Sequence, residues 1–402
     1  MPTALSLLLL GLMLINMSNR LRTKNRITPA TKNKLLIIHA FFLVNTLTST
    51  IFSSVGVERS IQTTLAEIIG LLFSLVLSWW LSRFNLYVTY FFKGFRIAGL
   101  IFAIYAVYQL IALSTELPFS YLPMNNASFS LLDVEAAAYH VRALGLTPEP
   151  SILASLLIIP IGMVTVDIVL WPSFKQYIYI IVLLLGFLST SSQSIIILPI
   201  YILLIVQLTR SCISHPRNFQ TIDLIGLLIL ALGGILLVLS NPSILISLAR
   251  LTTENTNQVQ SANARFNDFL VALEMFYQNP LFGAGLGSYT DLALQVKDSL
   301  GLEGEAGASS SFFRMIAEQG LFGLIFCAIS FKILFPPRLP RLAKKEFSAL
   351  IGYHLCTIVG ILLSIIFFVG YRNLYHLWLL IPLGLSLSAR IIEAKKESEY
   401  ES

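Results

Sequence analysis

Residues 151–171 read SILASLLIIPIGMVTVDIVLW, an apolar run that contains one charged residue, Asp167, and is long enough to cross a bilayer as a helix. The whole chain has a similar character: 56% of its 402 residues are hydrophobic and 12% are charged. This much apolar surface cannot be buried in one water-soluble core. Because backbone amides must be paired inside hydrocarbon, we predict an all-α polytopic membrane protein.

Apolar runs of about 15 to 22 residues predict about 11 transmembrane helices in a single integral membrane domain, residues 1–402. The predicted spans lie near 3–18, 35–55, 64–82, 97–115, 151–171, 176–190, 195–209, 221–240, 310–334, 348–370 and 376–392.

The cations indicate the topology. Lys and Arg near span ends are held in the cytoplasm, and most of the 27 in this chain fall on alternate connections, starting with the basic run 20–26. Two long loops, 116–150 and 241–309, then face away from the cytoplasm, and we expect them to contain short helices. The net charge of +6 is explained by this topology, so we predict no nucleic-acid partner.

The second long loop is polar, arginine-bearing and rich in glycine. Arg265 is predicted to lie on the first turn of an amphipathic helix that Pro280 ends. Gly283 and Gly285 follow, and their freedom to adopt positive φ would let backbone amides approach a phosphate; the alternative is a tight turn back into the membrane. The apolar residues at helical spacing are Phe266, Phe269, Leu270, Leu273, Phe276 and Tyr277.

These features together resemble the family of O-antigen polymerases and O-antigen ligases. Its shared region has an arginine, an aromatic-rich helix, Pro-Leu-x-Gly-x-Gly, and a span that begins near Glu-x-Gly-x-x-Gly. The matching residues here are Arg265, Pro280-Leu281-Phe282-Gly283-Ala284-Gly285 and Glu318-Gln319-Gly320-Leu321-Phe322-Gly323.

A second patch is similar to the other large periplasmic loop of many polymerases in this family. It contains Arg142 and Gly145, followed by Glu149-Pro150-Ser151 at the start of a span. Ligases of the family typically carry His-Asn about nine residues before the Glu of Glu-x-Gly. Ser309 and Ser310 stand at those positions, which favours a polymerase over a ligase.

The resemblance implies a metal-independent membrane glycosyltransferase of the bacterial inner membrane with a periplasmic active face. The reaction would transfer a growing glycan from undecaprenyl pyrophosphate to the non-reducing end of an incoming lipid-linked repeat unit. Implied partners are undecaprenyl-pyrophosphate-linked oligosaccharides, membrane lipids and a chain-length regulator protein, with no cofactor. The alternatives are an O-antigen ligase that transfers polymer to the lipid A core, and a transporter of lipid-linked sugars.

Three arginines are candidates for holding the departing pyrophosphate, because the guanidinium fork binds phosphate oxygens bidentately. Each has a structural alternative: Arg314 could pair with Glu318, Arg265 with Asp268, and Arg142 with Glu135 or Glu149. Substrate-binding residues would also include Gly283, Gly285, Tyr289 and Ser311.

The acceptor proton requires a base, and we favour Glu149, whose flanking prolines fix the backbone. Its alternative role is to complement the dipole of the following helix. The other candidates for the base are Asp133, Glu135, His140, Asp291, Glu303, Glu305 and His376. The sequence shows no spacing typical of a metal site.

Overall fold

In the residues that it describes, the computed structural model is mostly helical, with one pair of two-residue strands. The residues that the structure describes are 29–51, 53, 57–83, 85–115, 117–122, 131–132, 140–141, 143–147, 149–190, 197–212, 256–302, 310–334, 345–368 and 382–387. Predicted spans 3–18 and 221–240, and most of 376–392, lie outside them.

Among the described residues, ten helices have bounds that can be given; eight of them overlap predicted spans, and the other two lie in the predicted loop 241–309. The ten are α1 (Pro29–Ile51), α2 (Val57–Arg83), α3 (Asn85–Thr115), α4 (Pro150–Leu170), α5 (Phe174–Ser189), α6 (Ile197–Ser211), α7 (Thr256–Gln278), α8 (Tyr289–Ser299), α9 (Ser311–Leu334) and α10 (Lys345–Leu363), and α10 continues as a π-helical turn, Ser364–Phe368.

Five of these helices are long and apolar enough to cross a membrane within the described residues, and they contain the stretches Ile61–Ser78, Tyr90–Leu113, Pro150–Leu170, Ser311–Leu334 and Ser348–Ile366. Three shorter apolar stretches lie in α1, α5 and α6. The prediction of a multi-pass, helical membrane protein is therefore supported, and the figure of about 11 spans stays a prediction.

The two long loops differ from each other. In the first, strands β1 (Leu131–Leu132) and β2 (His140–Val141) pair antiparallel, with Leu131 opposite Val141. The described residues of this loop form that pair and turns, and the expectation of short helices in it stays a prediction. The second loop contains α7 and α8.

The helices divide into two compact units. One consists of Met1–Tyr90, Ser261–Arg338 and Ile361–Ser402, and is called unit 1 below. The other, unit 2, consists of Phe91–Gln260 and Leu339–Gly360.

The core of unit 2 is α4, which is buried along almost its entire length. Neighbouring helices approach it at glycines. A Cβ on Gly99 of α3 would lie 2.6 Å from Pro160, and one on Gly360 would lie 2.5 Å from Ile159. Small residues at such contacts let apolar helices pack backbone against backbone, which is how helices associate without a hydrophobic driving force in lipid.

A buried polar cluster joins three helices of unit 2. Asp167 of α4 accepts hydrogen bonds from Arg96 of α3 and from the hydroxyl of Tyr353 in α10. The Arg96 guanidinium also lies over the Tyr353 ring, 5.6 Å from its centroid. The one charged residue of the apolar run 151–171 is therefore paired with a cation and a phenol.

In unit 1, polar contacts join α1 to α2 and to α9. His39 Nε2 lies 3.3 Å from Ser74 Oγ of α2. Asn45 donates to Gln319 Oε1 of α9 at 2.7 Å, and Ser49 donates to the Glu318 carbonyl, also at 2.7 Å. These contacts hold α1 against the part of α9 that carries the Glu-x-Gly motif.

The Arg96–Asp167 pair gives an asymmetric stability prediction. Asp167 is almost fully buried, whereas the Arg96 side chain is 26% exposed and can reach water or headgroups when its partner is lost. Arg96→Met leaves a buried carboxylate without its cation and should cost about 3–5 kcal/mol, whereas Asp167→Asn should cost less. Thermal unfolding in detergent measures both, with Lys93→Met, an exposed cation on the same helix, as control. Equal losses for the two variants would contradict this account.

Candidate functional site

Helix α9 is interrupted at Gly320, whose φ of 57° and ψ of −146° are not helical. The interruption frees the Ala317 and Glu318 carbonyls, and the Leu321 and Phe322 amides, from their helical partners. Free backbone groups of this kind are costly in an apolar environment, so they require partners from elsewhere in the chain.

The loop after α7 supplies those partners. Ala284 N–H donates to the Ala317 carbonyl at 2.8 Å, and Gly285 N–H donates to the Glu318 carbonyl at 3.0 Å. In the opposite direction, Leu321 N–H donates to the Pro280 carbonyl at 2.9 Å and Phe322 N–H donates to the Leu281 carbonyl at 3.1 Å. We call this exchange of four hydrogen bonds the backbone clasp.

Glycine is required on both sides of the clasp. Gly283 has a φ of +71°, and a Cβ there would overlap the backbone of Glu318 and Gln319. A Cβ on Gly320 would lie 2.6 Å from Gly283 N and 2.7 Å from the Pro280 carbonyl. The two glycine motifs that the sequence analysis singled out are therefore the two halves of one structural element.

Arg314 lies one turn before the clasp, on the same helix. Its Nε donates to Glu318 Oε1 at 2.9 Å, and its Nη2 lies 3.4 Å from Thr290 Oγ1 of α8. Both partners of this i, i+4 pair are buried, with side-chain exposures of 9% and 1%. The pairing that the sequence offered as the alternative for Arg314 is present.

Glu318 organises the start of α8 as well. Its Oε1 also accepts from the Tyr289 backbone N–H at 3.2 Å, at the first residue of that helix. Its Oε2 is buried without a hydrogen-bond partner among the described residues. A single carboxylate therefore connects the arginine, the helix N-terminus and, through its own backbone carbonyl, the clasp.

Tyr289 and Asp268 connect α8 to α7. The Tyr289 hydroxyl donates to the Asp268 carbonyl at 3.2 Å. Burial of this phenol raises its pKa, and the nearby Asp268 carboxylate raises it further. The Asp268 carboxylate faces Lys297 Nζ at 3.1 Å. The sequence suggested Asp268 as an ion-pair partner for Arg265. In the structure, Asp268 forms its ion pair with Lys297. Lys297 was not among the residues singled out from the sequence.

Helix α7 differs from its prediction in two ways. It begins at Thr256, so Arg265 lies in its third turn and not in its first, although the helix does end before Pro280. Its buried face consists of Asp268, Val271, Ala272 and Met275. The predicted apolar face, with the aromatic residues, lies largely on the other side of the helix.

Glu149, the residue favoured as the base, belongs to unit 2. Glu149 immediately precedes α4, with Pro150 in the first turn, and Ser151 Oγ donates to Glu149 Oε2 at 3.3 Å. Partial burial raises the pKa of the Glu149 carboxyl, and the Ser151 hydrogen bond opposes that shift. A raised pKa brings a carboxylate closer to the range in which it takes up a proton at neutral pH.

Gln109 of α3 shapes the loop that leads to Glu149. Its Oε1 accepts from the Leu144 and Gly145 amides at 2.8 and 2.7 Å, and its Nε2 donates to the Ser120 carbonyl at 2.8 Å. Sequence reasoning missed Gln109, as it missed Asn45 and Ser49. The available signal was a polar side chain inside an apolar run, which is costly in a membrane unless it has a specific partner.

The remaining site predictions are placed as follows. Ser311 is the buried first residue of α9, and Arg265 lies in α7. Arg142 lies outside the described residues, as do Asp133, Glu135, Glu303, Glu305 and His376. Convergence of the three arginines stays a prediction, as do the binding roles of Gly283, Gly285, Tyr289 and Ser311. Within the described residues, no group of three His, Cys, Asp or Glu side chains could hold a metal ion.

Comparison with known families supports the resemblance. Residues 177–328 match the family model described as O-antigen ligase. The match supports the O-antigen ligase and polymerase superfamily. It covers less than half of the chain but includes both halves of the clasp and the Arg314–Glu318 pair. No curated protein and no solved structure matches the chain. The O-antigen ligase model does not separate ligase from polymerase.

The clasp predicts a large loss of stability for Gly283→Ala, with Gly301→Ala as matched control. Both glycines have positive φ, 71° and 64°, but a Cβ on Gly301 meets nothing within 4 Å. The control should cost only the left-handed strain of about 1–2 kcal/mol. Gly283→Ala adds overlap with the α9 backbone, so it should lower the midpoint of thermal unfolding in detergent by more than Gly301→Ala does. Similar midpoints for the two variants would mean that the clasp does not stabilise this unit.

Proposed function

We propose that this protein is a repeat-unit polymerase of the O-antigen type. It transfers a growing glycan from undecaprenyl pyrophosphate to the non-reducing end of an incoming lipid-linked repeat unit. The family match supports a membrane glycosyltransferase-like enzyme, and the apolar helices support a multi-pass membrane protein. The proposal places the protein in the bacterial inner membrane with its active face in the periplasm.

The observation that carries the proposal is the buried Arg314, which lies at the start of an apolar helix. A guanidinium group has five N–H donors arranged along separate edges, and the Arg314–Glu318 bond uses Nε. Nη2 also lies 3.4 Å from Thr290 Oγ1, and the remaining Nη donors would bind phosphate oxygens while the carboxylate fixes the orientation of the side chain. A buried arginine held in this way would stabilise the charge that develops on a departing pyrophosphate.

Glu149 is proposed as the base that takes the proton from the acceptor hydroxyl. As that proton leaves, the oxygen forms a bond to the anomeric carbon of the donor, and the bond from this carbon to the pyrophosphate oxygen breaks. Partial burial raises the pKa of Glu149, which makes it a better proton acceptor near neutral pH than a fully hydrated carboxylate.

Ser310 supports polymerase over ligase. It occupies one of the two positions at which ligases of the family typically carry His-Asn. Its hydroxyl accepts from Phe312 N–H at 3.2 Å and lies 3.2 Å from the Ile365 carbonyl, and the residue is buried. A buried serine at the beginning of α9 offers no imidazole for a ligase mechanism. Transfer of polymer to the lipid A core is the alternative activity.

The clasp bears on the transporter alternative. In transporters, a broken helix presents free carbonyls or amides to a bound ion or substrate. The carbonyls freed at Gly320 accept hydrogen bonds from Ala284 and Gly285, and the freed amides donate to the same loop. The broken helix of this chain is thus occupied by its own backbone, which favours the enzyme.

The function can be tested with purified protein in lipid vesicles and synthetic lipid-linked repeat units. We expect a ladder of polymer on undecaprenyl pyrophosphate without any lipid A core acceptor. Because Arg314→Ala alone would leave Glu318 buried and unpaired, the paired variant Arg314→Met/Glu318→Gln removes both charges, and thermal unfolding checks its fold. It should elongate at least about 10²-fold more slowly, as expected for loss of one electrostatic donor. Elongation at the rate of the unmodified protein would eliminate this role for Arg314.

The pH dependence tests Glu149. As a base, Glu149 must be deprotonated, so kcat/KM should fall as pH decreases through its pKa. Ser151 donates a hydrogen bond that lowers this pKa, so Ser151→Ala should raise it and move the acidic limb of the profile to higher pH. Glu149→Gln should abolish the limb together with most of the activity. A limb that stays in place in Ser151→Ala would exclude Glu149 as the titrating group.

A further inference from the structure

Helix α7 has two apolar faces on roughly opposite sides. At 3.6 residues per turn, Val271, Ala272 and Met275 form one face, and Phe266, Leu273 and Tyr277 form the other, about 170° away. The first face is buried against Tyr289, Ala293 and Ala317. The second carries the larger side chains and is not part of that core.

The second face is exposed in the described structure. Phe266 is 60% exposed and Tyr277 is 67% exposed, while the Phe269 ring contacts the tilted ring of Phe313 in α9, with centroids 5.3 Å apart. Asn267, Glu274 and Gln278 lie between the two apolar faces on one side of the helix, where Gln278 Nε2 donates to Glu274 Oε1 at 3.1 Å. A helix that is apolar on two opposite sides is characteristic of a buried or membrane-associated helix, not of one that faces water.

The exposed face continues onto the apolar surface of a candidate membrane span. Just beyond α7, Leu281 is 54% exposed, and its carbonyl accepts from Phe322 N–H of α9 at 3.1 Å. Leu321, the preceding residue of α9, is 41% exposed, and its N–H donates to the Pro280 carbonyl. The clasp thus fixes the end of α7 beside apolar side chains that acyl chains would cover.

We propose that the face formed by Phe266, Phe269, Leu273 and Tyr277 docks into the bilayer at the boundary between headgroups and acyl chains. Aromatic residues are enriched at that depth, because their rings are apolar while the tyrosine hydroxyl stays hydrated. Burial of this face there removes from water the apolar surface that the core of unit 1 leaves uncovered. The inference depends on the membrane character of the chain and not on the proposed reaction.

Docking at this depth has a consequence for the site. A lipid-linked pyrophosphate lies at the headgroup level, because its tail is held in the hydrocarbon. Tyr289 donates to the Asp268 carbonyl of α7, and Glu318 accepts hydrogen bonds from both Tyr289 N–H and Arg314. If α7 is fixed at the interface, it sets the height of Tyr289 and Arg314 relative to the membrane surface.

Fluorescence quenching of the full-length protein in phosphatidylcholine–phosphatidylglycerol vesicles tests the docking. A bimane probe is attached in Phe266→Cys and Tyr277→Cys, and in Ser299→Cys as control, since Ser299 is exposed at the end of α8. The unsubstituted protein, treated identically, corrects for labelling of the native Cys212, Cys327 and Cys356. Because all three substituted side chains are exposed, the fold should be kept, and the thermal transition of each labelled protein checks this.

We expect a nitroxide carried near the headgroup of a lipid to quench the probes at 266 and 277 severalfold more than the probe at 299. Aqueous iodide should show the reverse order. Iodide quenching at 266 and 277 as strong as at 299 would place the face in water and overturn the proposal. Protection of both positions from both quenchers would also overturn it, because another part of the protein would then cover the face.

Discussion

The organisation of unit 1 depends on four backbone hydrogen bonds across the break in α9. In water, a helix break exposes carbonyls and amides that solvent can satisfy, but in an apolar surrounding each must find a partner in the chain. In the Pro280–Gly285 segment, the first two residues provide carbonyls for the freed amides of α9, and the last two provide amides for its freed carbonyls. This constraint explains why glycine stands at positions 283 and 320, where any Cβ would separate the two backbones.

The clasp also brings the ionisable groups together. By fixing Glu318 against the loop, it places a carboxylate where Arg314 and the first amide of α8 can both donate to it. Asp268 and Lys297 form a second buried pair between α7 and α8. Buried pairs of this kind are sensitive to the loss of one partner, so the geometry around Arg314 depends on backbone contacts at Gly283 and Gly320 as well as on charge.

The sequence predicts much of the fold from its apolar runs, but it predicts fewer of the contacts in the candidate site. Apolar runs predicted α4 to within a residue at each end, because hydrocarbon requires continuous apolar helix. Helical periodicity found the aromatic face of α7 but could not show that a second face of smaller residues would take the core contacts. The Arg314–Glu318 pair was accessible from i, i+4 spacing, whereas Lys297 and Gln109 were not, because their partners are distant in sequence.

The glycine motif illustrates how two chemical uses of one backbone compete. A nest for phosphate requires amides that point outward without partners, yet the Ala284 and Gly285 amides donate to carbonyls of α9, and the Gly283 amide donates to Asn279. In this arrangement the positive φ of the glycines serves close backbone approach. In the proposed function, a guanidinium whose Nε is bound by a carboxylate keeps Nη donors for a pyrophosphate. The clasp then determines where that guanidinium lies.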